Sequence, residues 1–384
     1  MKYIIGKHIF LGLLAAALAL LTGCQSDGAD TGPKTITVEM QAYATTYKDA
    51  VQAASTRAWP PSDDFEVYDG KDAIRVAFMN TSDYAATNNA GGTADGSFVY
   101  NESDKKWYST FEVANLTGNS YYLYGYMPAV GSLSLASVSS SYANGAIMTM
   151  TGLPSATSSD VCVIIGVGNS TSNIKMGKFD YTFDSGNNHV YLLCDHLYAA
   201  LGLSIYVHDT YYALRRIKLK KVWVKDCKNG GTTYTSKSDV VVRLESNNEG
   251  TSPIQSITFT NDNTNTVVDM EQSPLYNNAE GLALSGDEEH PTYVQGFMAP
   301  IGMTDFTLVS QYDVYDTKGN LIRPDQIAEN KINIDALFDK TNSIDRMSVE
   351  RGKRYILQLI VNPTYLYMMS EPDLDNPSVQ VGSL

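Results

Sequence analysis

Cysteine, histidine and tryptophan are scarce in this 384-residue chain, at 4, 5 and 3 residues. The cysteines include no Cys-x-x-Cys spacing, which excludes a disulfide framework. Cys162 and Cys194 lie in apolar runs and read as small core residues. A single bridge in an oxidising compartment stays open. Basic residues are also few, 28 against 42 acidic ones, for a net charge of −14. An acidic chain of this kind repels phosphate backbones, so no nucleic-acid partner is expected. No Gly-x-Ser-x-Gly elbow, phosphate loop or His-Glu-x-x-His motif occurs, and no catalytic residue, enzyme activity or cofactor is expected. Helical periodicity is missing as well: beyond the first 25 residues no helix-period stretch exceeds about three turns. What the chain has instead is tyrosine, 26 against 11 Phe. Tyr, Thr and Val suit half-buried pleated surfaces, and the expected fold class is all-β.

The first residues are a targeting segment, outside the fold. Lys2 and Lys7 form a positive region, Ile9 to Leu21 an apolar one, and Leu21-Thr22-Gly23-Cys24 ends it. The apolar run is short for a membrane span of about 20 residues. Its ending resembles the lipobox of bacterial lipoproteins, which implies a signal peptide over 1–23 and lipidation, palmitate included, at Cys24. Without Lys2 and Lys7 the balance is 26 basic against 42 acidic residues, near −16. Gln25 to Lys34 is a polar Gly/Pro tether. By resemblance to lipoprotein sorting rules, the absence of Asp after Cys24 implies the cell outer membrane.

TITVEM follows, with Ile36, Val38 and Met40 alternating with Thr and Glu, the pattern of a half-buried strand. Arg57 then stands alone: no other Lys or Arg lies between Lys48 and Lys71. Ala58 and the breaker Trp59-Pro60-Pro61 come next. From Phe65 on, strand candidates recur between short polar loops, among them AIRVAFMN, WYSTFEV, SYYLYGYMP and VCVIIGVGN. This spacing predicts β-sandwiches. DSGNN at Asp184 to Asn188 interrupts it, and HVYLLCDHLYAALGLSIYVHD reads as a long bent strand. YDVYDTKGNLIR predicts a hairpin. The expected domains are 58–186 and 187–384, with 24–57 as tether and N-terminal strand.

Three clusters are weighed as binding sites. His189, His196 and His208 fall within 20 residues, but on one extended strand the last two would stand about 40 Å apart, so no metal is expected. Asp287-Glu288-Glu289, Asp373-x-Asp375-Asn376 and Asn261 to Glu271 offer hard oxygens for Ca²⁺, and solvated loops are their default reading. Tyr121, Tyr122, Tyr124 and Tyr126 form either a sugar-stacking face or a tyrosine-rich core strand.

The lipobox, the strand, the Arg57-Ala58 junction and the two sandwiches together resemble the type V fimbrillins, lipoprotein pilins of anaerobic bacteria. GNSYYLYGYMP, DHLYAALGLSIYVHDTYYALRRIKLKKVWV and KRYILQLIVNPTYLYMMSEPDLDNP carry the likeness further. It implies two tandem transthyretin-like β-sandwich domains and a surface location, then a fimbrium. It also implies an Arg-specific protease cutting after Arg57, with Ala58 as the new N-terminus. The segment 24–57 is then removed, a groove opens, and a strand of another subunit fills it by donor-strand exchange. The implied partners are other fimbrial subunits, the outer membrane through the lipid, and a host glycan or protein receptor for cell adhesion.

The physics of that mechanism is general. A missing strand exposes unpaired backbone groups and apolar pockets, a template for another chain's edge. Six to eight inward side chains at about 1.5–3 kcal/mol each would contribute roughly 10–20 kcal/mol gross. The reservoir for a donor is ILQLIVNPTYLYMMS, where Tyr365, Tyr367 and Met369 face one way and Leu366 and Met368 the other. That run reads equally as the last core strand. Alternatives to a polymerising subunit are a glycan-binding surface lipoprotein and an uncleaved fimbrial anchor.

Overall fold

The structure is a computed structural model and describes residues 35–46, 48–49, 65–80, 95–112, 119–184, 188–247, 252–262, 264–334, 349–361 and 378–381. The alternating segment TITVEMQAYAT forms the first strand, β1 (Thr35–Thr45). It is followed by β2 (Lys48–Asp49), β3 (Phe65–Val67) and β4 (Ile74–Met79). A hairpin of β5 (Asp95–Asn101) and β6 (Lys106–Glu112) precedes the tyrosine-rich β7 (Ser120–Met127). Then come β8 (Ser132–Ser137), β9 (Gly145–Pro154), β10 (Cys162–Gly168), β11 (Lys175–Met176) and β12 (Asp180–Thr182). The expected long bent strand is two strands, β13 (His189–His196) and β14 (Ala199–Val207), which belong to different sheets.

A single helical turn, α1 (Asp209–Tyr212), leads to β15 (Arg215–Asn229), β16 (Thr232–Thr233), β17 (Lys237–Glu245) and β18 (Ile254–Asn261). The chain continues through β19 (Tyr276–Ala283), β20 (Thr292–Ala299), β21 (Asp305–Asp316) and β22 (Leu321–Asn333). It ends on β23 (Lys353–Val361) and β24 (Ser378–Val381). The protein is all-β, as its composition predicts. The Lys-Gly-Asn turn joins β21 to β22: Asp316 Oδ1 accepts from the backbone N–H of Lys318 and Asn320 at 2.9 and 2.8 Å. Gly319 supplies the left-handed residue at φ +87.

The first sheet runs β11–β10–β13–β1–β6–β5–β4–β7–β12, and β7 also pairs with β10 through Cys162↔Met127 and Val163↔Tyr126. The sheet therefore closes on itself, which removes exposed edges and encloses a core. Phe78, Phe98, Phe111, Trp107, Tyr124 and Tyr126 fill it. Gly125 is closely approached by its ladder partner β4, since a Cβ there would stand 2.2 Å from the Arg75 carbonyl oxygen. A second sheet, β18–β17–β9–β8, adds Met148, Met150, Val240, Val242 and Leu244 to the same core.

A second core lies between β14, β20 and β23 on one side and β15, β19, β21 and β22 on the other. Core membership changes between Tyr198 and Ala199. β13, the first strand after the expected 186/187 division, completes the first sheet. The hairpin β17–β18 also crosses back to the first core.

Candidate functional site

The site is the slot that β1 fills. β1 sits inside the first sheet, parallel to β13 from Glu39↔His189 to Ala44↔Cys194. On its other side it is antiparallel to β6 from Thr35↔Glu112 to Met40↔Trp107, and to β3 from Tyr43↔Val67 to Thr45↔Phe65. Alternation does the rest: Val38, Met40, Ala42 and Ala44 are buried, and Ile36 packs partly against the same core. The inward set is thus five residues, and two are alanines. Its gross hydrophobic contribution is about 6–10 kcal/mol.

The outward face of β1 carries charge. Lys106 Nζ and His189 Nδ1 both meet Glu39 Oε1, at 2.5 and 2.9 Å, and Tyr108 donates to Oε2 at 3.1 Å. Burial opposes ionisation of Glu39, but the hydrogen bonds from Lys106 and Tyr108 outweigh it and hold the carboxyl below its usual 4.5. Burial pushes His189 below its usual 6.5, against the pull of Glu39. His189 Nε2 is buried without a hydrogen-bond partner, so a second ring proton would find no acceptor. Its ring lies flat on Tyr191, 4.4 Å between centroids, and Tyr191 stacks on Tyr43 of β1.

The two shifts act in one direction. Unfolded His189 takes up a proton before the folded residue does, so its share of stability is lost as pH falls below 6.5. Glu39 contributes fully above 4.5 and loses its share as pH falls through its lowered folded value. These two groups therefore pull urea midpoints down between pH 7 and 5 and again below 4.5. His189→Gln should flatten the upper limb and Glu39→Gln the lower one. Unchanged slopes in both variants would remove this account of the β1 face.

At its exit β1 meets a buried polar cluster. Thr45 Oγ1 donates to Asp195 Oδ1 at 2.8 Å, and Arg351, just before β23, donates to Asp195 Oδ2 at 2.5 Å. His196 Nε2 lies 2.6 Å from the Thr45 carbonyl oxygen. A carbonyl only accepts, so Nε2 carries the proton and Nδ1 points the other way. There it meets Asp160 Oδ2 at 2.8 Å and Cys162 Sγ at 3.3 Å. Three residues on, β2 pairs with β23 at Lys48↔Lys353, so the chain crosses from the first core to the second. The sequence offered no signal for this cluster, because Cys162 and His196 are brought opposite each other only by β10–β13 register.

Of the residues singled out from sequence, Cys24, Arg57, Ala58, Tyr365, Leu366, Tyr367, Met368 and Met369 lie outside the described residues. In chain order the Arg57–Ala58 bond falls between β2 and β3. The tyrosine strand is core: Tyr121, Tyr124 and Tyr126 are buried, and the last two donate to the carbonyl oxygens of Tyr142 and Val130, each at 2.6 Å. Asp287 is engaged by His290 Nδ1 at 2.8 Å and by the Glu289 backbone N–H at 2.9 Å.

No family model and no curated protein matches the chain. Solved structures do, and they are described as cell adhesion and fimbrial proteins of Bacteroides and related bacteria. One, described as a cell adhesion protein of Bacteroides uniformis, is 11% identical with a TM-score of 0.37, covering 90% of this chain and 97% of that one. A fimbrial protein of Bacteroides vulgatus is 12% identical at 0.33, covering 89% and 98%. The fimbrial anchor protein Mfa2 from Porphyromonas gingivalis is 10% identical at 0.24, covering 89% and 95%. Likeness at these scores carries no argument for function, which has to come from β1 and its slot.

Proposed function

We propose that the chain is a non-enzymatic subunit of a cell-surface fimbria, held by a lipid at Cys24 and activated by cleavage after Arg57. The observation that supports this reading is the position of β1. It is an internal strand with both edges paired, and the one Arg57–Ala58 bond follows it before the next strand of the first sheet. A cut there leaves β1 and β2 joined to the fold by noncovalent contacts alone. Their departure exposes the facing edges of β6, β3 and β13 and the pockets of Val38 and Met40. An unfilled slot with two unpaired edges is a template for a strand from the next subunit. Such a contact is head-to-tail and does not close, so it makes filaments. The segment around Tyr365 to Met369 is the candidate donor, and the cell surface is the site of action.

The test is limited trypsin digestion of the purified precursor, followed by a non-boiled denaturing gel. The expected result is a ladder of oligomers whose new N-terminus is Ala58, absent in Arg57→Ala. Clean cutting that leaves only monomer would overturn polymerisation and turn the reading to an anchor or a glycan-binding lipoprotein.

A further inference from the structure

The exit cluster of β1 contains more donors than a hydrogen-bonded pair needs. With Nε2–H committed to the Thr45 carbonyl, His196 turns its Nδ1 lone pair toward the Asp160 carboxylate and the Cys162 sulfur. Two acceptors at 2.8 Å require a cation between them. A proton would serve the nitrogen and the oxygen alone. The sulfur, 3.3 Å from the same nitrogen, also hydrogen-bonds the Asp160 carboxylate, so all three ligand atoms converge on one point.

We propose that Asp160, Cys162 and His196 bind a zinc-class divalent metal that fastens the end of β1 to the first sheet. The donor set of thiolate, imidazole and carboxylate is that of tetrahedral Zn²⁺, with bonds of about 2.0–2.3 Å. Such bonds put the nitrogen and oxygen about 3.3 Å apart and the nitrogen and sulfur about 3.6 Å apart. Against the 2.8 and 3.3 Å found, the nitrogen must part from the oxygen and the sulfur by about half an ångström or less, and all three ligand atoms already lie within 4.8 Å of one another. Metal-bound histidines hold their other ring N–H on a carbonyl or carboxylate, and Thr45 supplies that carbonyl here.

A second observation points into the same place. The Tyr68 hydroxyl is buried and has no hydrogen-bond partner. Its backbone N–H donates to the Ala42 carbonyl oxygen at 3.0 Å, which places Tyr68 near the end of β1, in the same core as Cys162 and Cys194. The Cys162 and His196 side chains are enclosed, whereas Asp160 reaches solvent and gives an ion its way in. On binding, the Cys162 thiol proton leaves to solvent and the metal–sulfur bond takes its place.

The consequence is specific to β1. The metal fixes His196, His196 holds the carbonyl of the last β1 residue, and the lock acts on the strand that must leave. The inference about the ion stands apart from strand exchange, because its test uses uncut protein. Metal-free, reduced precursor is titrated with Co²⁺, with Cys162 confirmed as a free thiol by alkylation after unfolding. Thiolate-to-cobalt charge-transfer absorption is expected to saturate at one equivalent and to be displaced by Zn²⁺. Cys162→Ser and His196→Gln should abolish it, and Cys227→Ser, in the second core, should leave it intact. Asp160→Asn, at the exposed edge and least disruptive to packing, should weaken Co²⁺ binding while the melting curve shows an intact fold. No thiolate band in the wild-type protein would mean a proton-bridged pair and would overturn the proposal. A band that survives His196→Gln, or one lost in Cys227→Ser, would overturn it as well.

Discussion

Met40→Asp is expected to expel β1 from the first sheet, at a cost above about 4 kcal/mol. Met40 is fully buried and sits opposite Val190 on β13 and Trp107 on β6. Losing its burial costs about 1.5–3 kcal/mol. A carboxylate set in that apolar core must protonate or be buried charged, which adds several kcal/mol. The whole inward set of β1 contributes only about 6–10 kcal/mol gross, before chain entropy is subtracted. One such change therefore removes most of what seats the strand. Urea unfolding followed by tryptophan fluorescence, with Trp107 beside the slot, reads the loss. Thr37→Asp is the control: three strand positions away it falls on the opposite face, and Thr37 is exposed, so it should cost under about 0.5 kcal/mol. Equal losses in the two variants would mean that β1 is not held by its alternating face.

That alternation was legible in the sequence, and so were the turn at Asp316 to Asn320 and the core character of the tyrosine strand. Each is a local signal in which the residue that sets the conformation lies within a few positions of the residue that responds. The neighbours of β1 were not legible. β13 lies about 150 residues along the chain and pairs in parallel, and nothing short-range reports a register of that span. The same limit hid the exit cluster. On a single extended strand His196 and His208 are far apart, which argued against a metal. The partners of His196 are instead Cys162 across the β10–β13 ladder and Asp160 in the loop before it. The return of β17 and β18 to the first core was hidden for a further reason. Their alternating apolar residues show that one face is buried but not against which core.

Asp195→Ala is the second large effect, about 3 kcal/mol, because one buried carboxylate holds three elements together. Asp195 is 2% exposed and accepts from Thr45 at the end of β1 and from Arg351 ahead of β23. Breaking a buried ion pair costs about 3–5 kcal/mol, and the lower end applies because the Arg351 side chain keeps 22% of its surface in solvent. Asp195→Asn retains an oxygen for Thr45 but not the charge for Arg351, so it should fall between the wild type and Asp195→Ala. Thr45→Val keeps the shape and removes one hydrogen bond, about 1 kcal/mol. A double-mutant cycle of Asp195→Ala with Thr45→Val should return a coupling of about 1 kcal/mol, since the second change finds its partner already gone. The effect should also be local, with faster hydrogen exchange at Thr45 than at Val38 in the same strand. If Asp195→Ala unfolds within 0.5 kcal/mol of the wild type, on the scale of a surface change, the junction is not what ties β1 to β23. The strand would then be held by its inward face alone, and Met40→Asp would expel it without any further loosening from Asp195→Ala.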